Sequence, residues 1–257
     1  MPKEPIKISA LLITFNEEEH ILDVIKTVSF ADEIIVVDAH STDHTISLLK
    51  SFEKVTVISR PFKNFADQRN FAISQATHDW ILFIDADERI PAPLRNEIIA
   101  TTTMKSDVVA YMVKRRFFFG KKPIKYSGLQ TDTTYRLFKK GFAQYDTEKI
   151  VHEYPLVNGK SAILKHHMLH YCYTSNADYK NKMEHYASLK AREMHKKGKK
   201  ATCWHFTVRP AYKFLVNYVF RLGFLDGKEG FSICYLSAYG VWYRYRVLQK
   251  LNALPKL

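Results

Sequence analysis

Three short runs in the first 113 residues are apolar at nearly every position: Ile8 to Ile13, Glu33 to Val37 and Trp80 to Ile84. A strand with one wet face alternates apolar and polar residues, so a run without alternation is expected to be covered on both faces. Amphipathic stretches separate these runs. Glu17-Glu18-Glu19 supplies the acidic first turn of a helix to about Phe30, with Ile21, Val24, Ile25 and Val28 on one face. A helix over Ser41 to Phe52, a strand at Val55 to Ser59, a helix over Phe65 to Ala76 and a helix opening at Pro91 complete the series. Strands and helices in alternation predict an α/β fold with a mostly parallel central sheet and helices on both faces.

The pattern changes after the strand at Val108 to Val113. Lys114 to Lys122 reads as a basic, aromatic loop, and strand-like pieces follow at Thr133 to Phe138 and Ile163 to Tyr171. Helical periodicity returns over Tyr179 to Lys197, then a basic turn leads into a segment, 205 to 251, that mixes Phe, Tyr and Leu with Arg and Lys. No repeat or low-complexity linker occurs. The expected organisation is an α/β half at 1–113, a second half of the same domain at 114–175, and a basic, aromatic helical extension at 176–257.

Charge divides the chain more sharply than its total suggests. The net charge is +13, yet residues 1–113 hold 11 basic and 17 acidic side chains, leaving 28 basic and 9 acidic in 114–257. One end is therefore suited to an anionic partner and the other is not. The run Ile6 to Phe15 has no small-residue cleavage site and reads as a strand rather than a signal peptide. No stretch reaches the roughly 18–20 apolar residues of a spanning helix. Cys172, Cys203 and Cys234 form no CxxC pair, which points to a reducing cytoplasm. Lys114 to Phe119 could stack bases and hold a nucleic-acid backbone, but that alternative leaves the acidic strand ends without a role. A better reading of the C-terminal aromatics and cations is peripheral contact with the cytoplasmic membrane face, with packing on the body as the alternative.

Ligands of parallel sheets bind at the carboxyl ends of strands, and here two strands end on carboxylates. Asp38 closes the second run, and Asp85 and Asp87 follow Ile84. Taken singly, each would suit a cap or turn. Two carboxylates at i, i+2 after a buried strand can share a divalent cation, and Mg2+ takes one or two protein carboxylates plus substrate phosphates. No GxGxxG or GxxxxGK[ST] occurs, so phosphates would be neutralised by metal rather than by a glycine loop.

Thr14-Phe15-Asn16-Glu17-Glu18, Val37 to Asp43, Gln68-Arg69-Asn70 and Asp85-Ala86-Asp87-Glu88 stand in the order and spacing of family 2 glycosyltransferases. The likeness continues through Tyr135 to Phe138, Val151-His152-Glu153, Leu169-His170-Tyr171 and Leu225 to Gly230. Over nearly the whole chain it resembles the lipopolysaccharide core β-1,4-glucosyltransferase-like branch, which implies the GT-A nucleotide-diphospho-sugar transferase fold with a C-terminal helical extension. The departure is Ala39-His40, where many relatives have Asp-Gly. The resemblance implies an inverting transfer of a hexose, glucose foremost, from a UDP-sugar to a lipopolysaccharide-core or other lipid-linked acceptor, with Mg2+ or Mn2+. Another cell-envelope glycan is the alternative acceptor.

By the same resemblance Thr14, Phe15 and Glu17 line the uracil and ribose pocket, and Asp38 takes the base N–H. Arg69 approaches the nucleotide or Asp85, Asp85 touches the ribose, and Asp87 binds the metal. Glu153 is the general base, with Glu148 as its rival. His170 is a candidate to complete the metal shell or meet a phosphate, a satisfied structural histidine being the alternative. Arg136 is a candidate to reach a donor or acceptor phosphate, against an ordinary surface arginine. The histidines lack cysteine partners and an HExxH pattern, so structural zinc is not expected.

Overall fold

The computed structural model describes residues 7–147 and 154–253, which divide into two units: Met1–Arg115 with Asp132–His170, and Arg116–Thr131 with Tyr171–Leu257. In the first unit the expected α/β architecture is present. Strands β1 (Ile8–Thr14), β2 (Glu33–Asp38), β3 (Val55–Ser59) and β4 (Trp80–Phe83) are parallel in the order β3-β2-β1-β4. The sheet continues with β8 (Thr133–Lys139), β6 (Val108–Phe119), β11 (Lys160–Tyr173) and the two-residue β5 (Glu88–Arg89). β8 is antiparallel to β4 and to β6, and β5 is antiparallel to β11.

The absence of alternation in β1 has a direct structural cause. Leu12 points into one layer with Ile21, Val24 and Val28 of α1 (Ile21–Val28) and Leu94 and Ile98 of α4 (Ala92–Thr103). Leu11 points into the opposite layer with Ala72 of α3 (Phe65–Gln75) and Phe138. Both leucines are fully buried, each contributing about 1.5–3 kcal/mol by removal from water.

Several boundaries differ from expectation for local reasons. The expected helix over Ser41 to Phe52 shortens to α2 (Thr45–Leu49), because Ser41 donates its N–H and hydroxyl to Asp38 and is drawn out of the helix. The supposed loop at Lys114 to Lys122 is instead the second half of β6, which turns at Gly120 (φ +56°) and returns as β7 (Lys122–Ile124). Its aromatics alternate as strand residues do: Phe117 is buried opposite Ile124, while Phe118 stacks on Tyr171 with 4.5 Å between centroids. A small ribbon of β9 (Ala143–Tyr145) and β10 (Pro155–Val157) has no counterpart in the sequence reading.

In the second unit α5 (Asn176–Lys196) packs along α8 (Gly227–Ala253), with Tyr179, Ile233 and Leu236 in one apolar cluster and Ala191, Tyr245 and Leu248 in another. Between them run α6 (Cys203–Phe206), α7 (Val208–Leu215), a π turn at Val216–Phe220 and a 3-10 turn at Gly223–Asp226. The Leu225 to Gly230 motif is the joint of this unit. Buried Asp226 accepts from the Lys125 and Tyr126 N–H groups at 3.0 and 2.9 Å and from the Ser127 hydroxyl at 2.7 Å. Lys122 donates to the Asp226 carbonyl and to Glu229.

Gly230 is required at this joint, since a Cβ there would stand 2.1 Å from the Gly223 carbonyl oxygen and 2.7 Å from the Asp226 Cβ. Gly230→Ala is expected to lose about 1–3 kcal/mol of stability through overpacking, read as a lower urea midpoint with an unchanged slope.

Candidate active site

Two turns at the carboxyl ends of β1, β2 and β4 gather the candidate site residues. In the first, the parallel register sets Thr14 opposite Asp38, and the Thr14 hydroxyl donates to Asp38 at 3.1 Å. Asp38 also receives the Ser41 N–H and hydroxyl at 2.8 and 2.5 Å and is fully buried. Its first role in the structure is thus to shape the loop that follows β2. Asn16 accepts the Thr42 N–H and donates its own N–H to Ser41, both at 2.8 Å, while the Glu17 N–H donates to the Thr45 hydroxyl at 2.8 Å. These bonds clasp the loop after β1 to the loop after β2. His40 takes a left-handed φ of +60°, so the turn keeps a glycine-like backbone where the sequence has histidine. Phe15 stands 58% exposed at this clasp, an aromatic face open to a ligand.

The second turn, Asp85 to Glu88, is organised by arginines. Leu82 of β4 pairs with Leu137 of β8, which puts Arg136 beside the point where β4 runs out. Arg136, itself buried, bridges Asp85 and Glu88, reaching the Glu88 carboxylate at 2.7 Å. Arg69 meets Asp85 from α3 at 3.2 Å and lies over the rings of Tyr145 and Phe83. Glu88 is fully buried, accepts the Asp85 N–H at 3.0 Å and lies 3.5 Å from Arg115, which also pairs with Asp132. Burial would raise the Asp85 carboxyl, but Arg136 first and Arg69 next hold it well below the usual carboxylate range. Burial opposes the charge on Arg136, and Asp85 and Glu88 reverse that effect, raising it above its ordinary value.

Asp87 sits at the outer edge of the turn with its carboxylate 3.2 Å from His170 Nε2. The contact follows from topology, because β11 pairs with β5 so that His170 lies opposite Glu88. A carboxylate beside an imidazole offers two metal-ligating groups. No group of three or more His, Cys, Asp or Glu is gathered among the described residues. This donor set suits Mg2+ or Mn2+ completed by diphosphate oxygens, and does not suit a closed structural zinc site.

The expected site residues Thr14, Phe15, Glu17 and Asp38 therefore gather at one pair of loops, and Arg69, Asp85, Arg136, Asp87 and His170 at the other turn. Arg136, a candidate to reach a phosphate or else an ordinary surface arginine, is buried and pairs with Asp85 and Glu88. Glu153 and Glu148 lie outside the described residues. The sequence reading missed Glu88 and Arg115, which complete the charge cluster, and Asn16 and Ser41, which hold the clasp. Glu88 follows Asp87 directly, but adjacency could not show that its carboxylate turns inward.

A parallel-sheet core extended by antiparallel strands, with carboxylates at the ends of β2 and β4, defines the GT-A type of nucleotide-diphospho-sugar transferase. Residues 9–160 match the model of glycosyl transferase family 2, and the chain belongs to that family: it is a glycosyltransferase. An uncharacterized glycosyltransferase of Rickettsia prowazekii is 32% identical over 96% of this chain and 88% of its own. The lipopolysaccharide core biosynthesis glycosyltransferase LpsC of Rhizobium meliloti is 27% identical over 98% and 97% of the two chains. Among solved structures, Staphylococcus aureus TarS 1–349 in complex with UDP is similar in fold, with a TM-score of 0.50 and 17% identity over 95% of this chain and 90% of that one.

Removing Arg136 takes the nearest guanidinium from Asp85 and from fully buried Glu88, leaving them Arg69 and the more distant Arg115. Arg136→Ala is expected to cost about 3–5 kcal/mol in chemical denaturation, the range for breaking a buried pair from one side. Asp85 also predicts an acid limb. Its native pKa is lowered, so its ion pairs stabilise fully above the unfolded-state value near 4 and are lost as pH falls toward the lower native value. Melting temperature followed from pH 6 down to pH 2 should fall less steeply in Asp85→Asn than in the parent chain.

Proposed function

We propose that this glycosyltransferase moves a hexose, glucose foremost, from a UDP-sugar to a lipopolysaccharide-core acceptor or a similar anionic glycolipid, with inversion at the anomeric carbon. The observation that carries the reading is Asp87 beside His170 at the end of β4, next to an Asp85 held ionised by two arginines. Likeness to LpsC along the whole chain supports the acceptor class, and the 28 basic against 9 acidic residues after Val113 suit an anionic acceptor. TarS, alike in fold, holds UDP.

In this reading Phe15 stacks on the uracil, Thr14 and Glu17 border the base and ribose, and Asp38 takes the base N–H while keeping the loop closed around it. Asp85 accepts from the ribose hydroxyls, its charge and direction maintained by Arg136 and Arg69. Asp87 and His170 would hold Mg2+ or Mn2+, which when bound neutralises the diphosphate. Glu153 removes the proton of the acceptor hydroxyl. That oxygen forms its bond to the anomeric carbon as the sugar–phosphate bond breaks, and UDP leaves with the bonding pair.

A panel of nucleotide sugars tested for metal-dependent thermal stabilisation should single out UDP-glucose, since a ligand of the native state raises stability with its concentration over its Kd. Equal stabilisation by every donor, or none by UDP-sugars, would sink the donor assignment. Asp87→Ala should abolish the metal-dependent part of that shift, and undiminished turnover with chelator present would reject the metal. Glu153→Gln should retain UDP binding while turnover drops about 100- to 10,000-fold, the usual worth of a general base. A fully active Glu153→Gln would move the base to Glu148.

A further inference from the structure

The span from Lys196 to Leu225 contains seven Lys and Arg and not one Asp or Glu. Within it α6 and α7 carry no buried residue at all. Val208, Tyr212 and Leu215 fall at i, i+4 and i+7 on one face of α7, and Trp204 in α6, Val219 in the π turn and Leu222 after it are exposed with them. Trp204 and Tyr212 are 61% and 66% exposed, and Phe220 in the π turn reaches 72%. A face of this kind on a water-soluble surface is normally covered, because contiguous apolar patches are costly to leave wet.

The surrounding charge says by what. Lys196 at the end of α5 and Lys199 and Lys200 in the turn before α6 are exposed, as are Arg209 in α7 and Arg221 just after the π turn. Lys213 is held below its ordinary value by burial first and by Arg221 second, so cations are crowded on the apolar segment without a carboxylate of that segment to relieve them. Beside this face, Phe214 of α7 and Tyr235, Tyr239 and Trp242 of α8 wall an apolar groove of about 480 Å³. None of the helices among the described residues is long and apolar enough to cross a membrane. Aromatic and aliphatic side chains on one face, cations interleaved and no acidic residue are the physical requirements for a helix lying in the plane of anionic headgroups.

We infer that the segment from Lys196 to Leu225 is a membrane-docking surface that inserts its exposed face into an anionic lipid bilayer. The cations meet lipid phosphates while Trp204, Tyr212, Leu215 and Phe220 enter the acyl boundary. The groove between α7 and α8 then takes hydrocarbon. This inference concerns the second unit alone and does not depend on the donor or acceptor assigned above.

The test is vesicle flotation of the full chain with phosphatidylcholine alone and with phosphatidylcholine containing phosphatidylglycerol, at low and high salt. The expected result is binding to the anionic vesicles, at least roughly ten-fold weaker on neutral ones and weakened by salt. A Tyr212→Glu, Leu215→Glu double variant should lose that binding by roughly ten-fold or more while keeping the parent melting temperature. In a second measurement anionic vesicles should blue-shift the tryptophan emission, and Trp204→Phe should reduce that shift, leaving the part that comes from Trp242 in the groove. Failure of the parent chain to float with anionic vesicles, or equal flotation of the double variant, overturns the proposal. So does a self-association abolished by the same double variant without any lipid binding, which would make the covering surface a second copy. Preference for single-stranded RNA over anionic vesicles in direct competition would overturn it in favour of a nucleic acid.

Discussion

Arg136 holds two carboxylates, Asp85 and Glu88, at the end of β4, and the candidate active site depends on that arrangement. Glu88 is wholly removed from water, which for a lone carboxylate would cost several kcal/mol. Compensation comes first from a guanidinium that is itself buried, with Arg115 farther off, so Glu88 and Arg136 stabilise each other's burial. The arrangement ties the turn to the sheet and leaves Asp87, which precedes Glu88 in sequence, beside His170. A rigid inner pair of acids thus holds an outer acid against an imidazole. The same turn is braced by Arg89, which donates to the Ala86 and Glu88 carbonyls and to the His20 carbonyl at the start of α1.

Charge is also segregated along the chain. Residues proposed to hold a diphosphate through a cation need acidic side chains, and the first 113 residues carry the acidic excess. Surfaces that meet phosphate directly need basic ones, and the cations accumulate after Val113, seven of them in the span from Lys196 to Leu225, which holds no acid.

The parallel half of the sheet was legible because its strands are apolar on both faces, a pattern that leaves few alternatives once helices intervene. Asp38, Asp85 and Asp87 were legible as ligand-facing candidates because each falls just after such a strand. The antiparallel additions were harder. β5 is two residues long and has no periodicity to read, yet its pairing with β11 is what delivers His170 to Asp87. The run from Lys114 to Phe119 looked like a loop because its charges and aromatics fit no helix, and only its partner β7 reveals the alternation as a strand's. His40 shows the limit from the other side: its left-handed backbone, beside a Ser41 that donates its N–H and hydroxyl to Asp38, was not legible from the residue type alone.

By itself, the sequence determined the layers and the class of chemistry. Burial patterns repeat every two or every 3.6 residues, and strand ends carry their side chains to the edge of the sheet whatever else the chain does. The tertiary structure decided which charges meet. Whether Arg136 faces a ligand or Asp85, whether Glu88 is wet or sealed, and whether the face from Trp204 to Leu222 is core or surface all depend on register and packing between residues far apart in the chain. Local periodicity says that a face is apolar or a residue charged; only the neighbour brought there by the fold says what balances it.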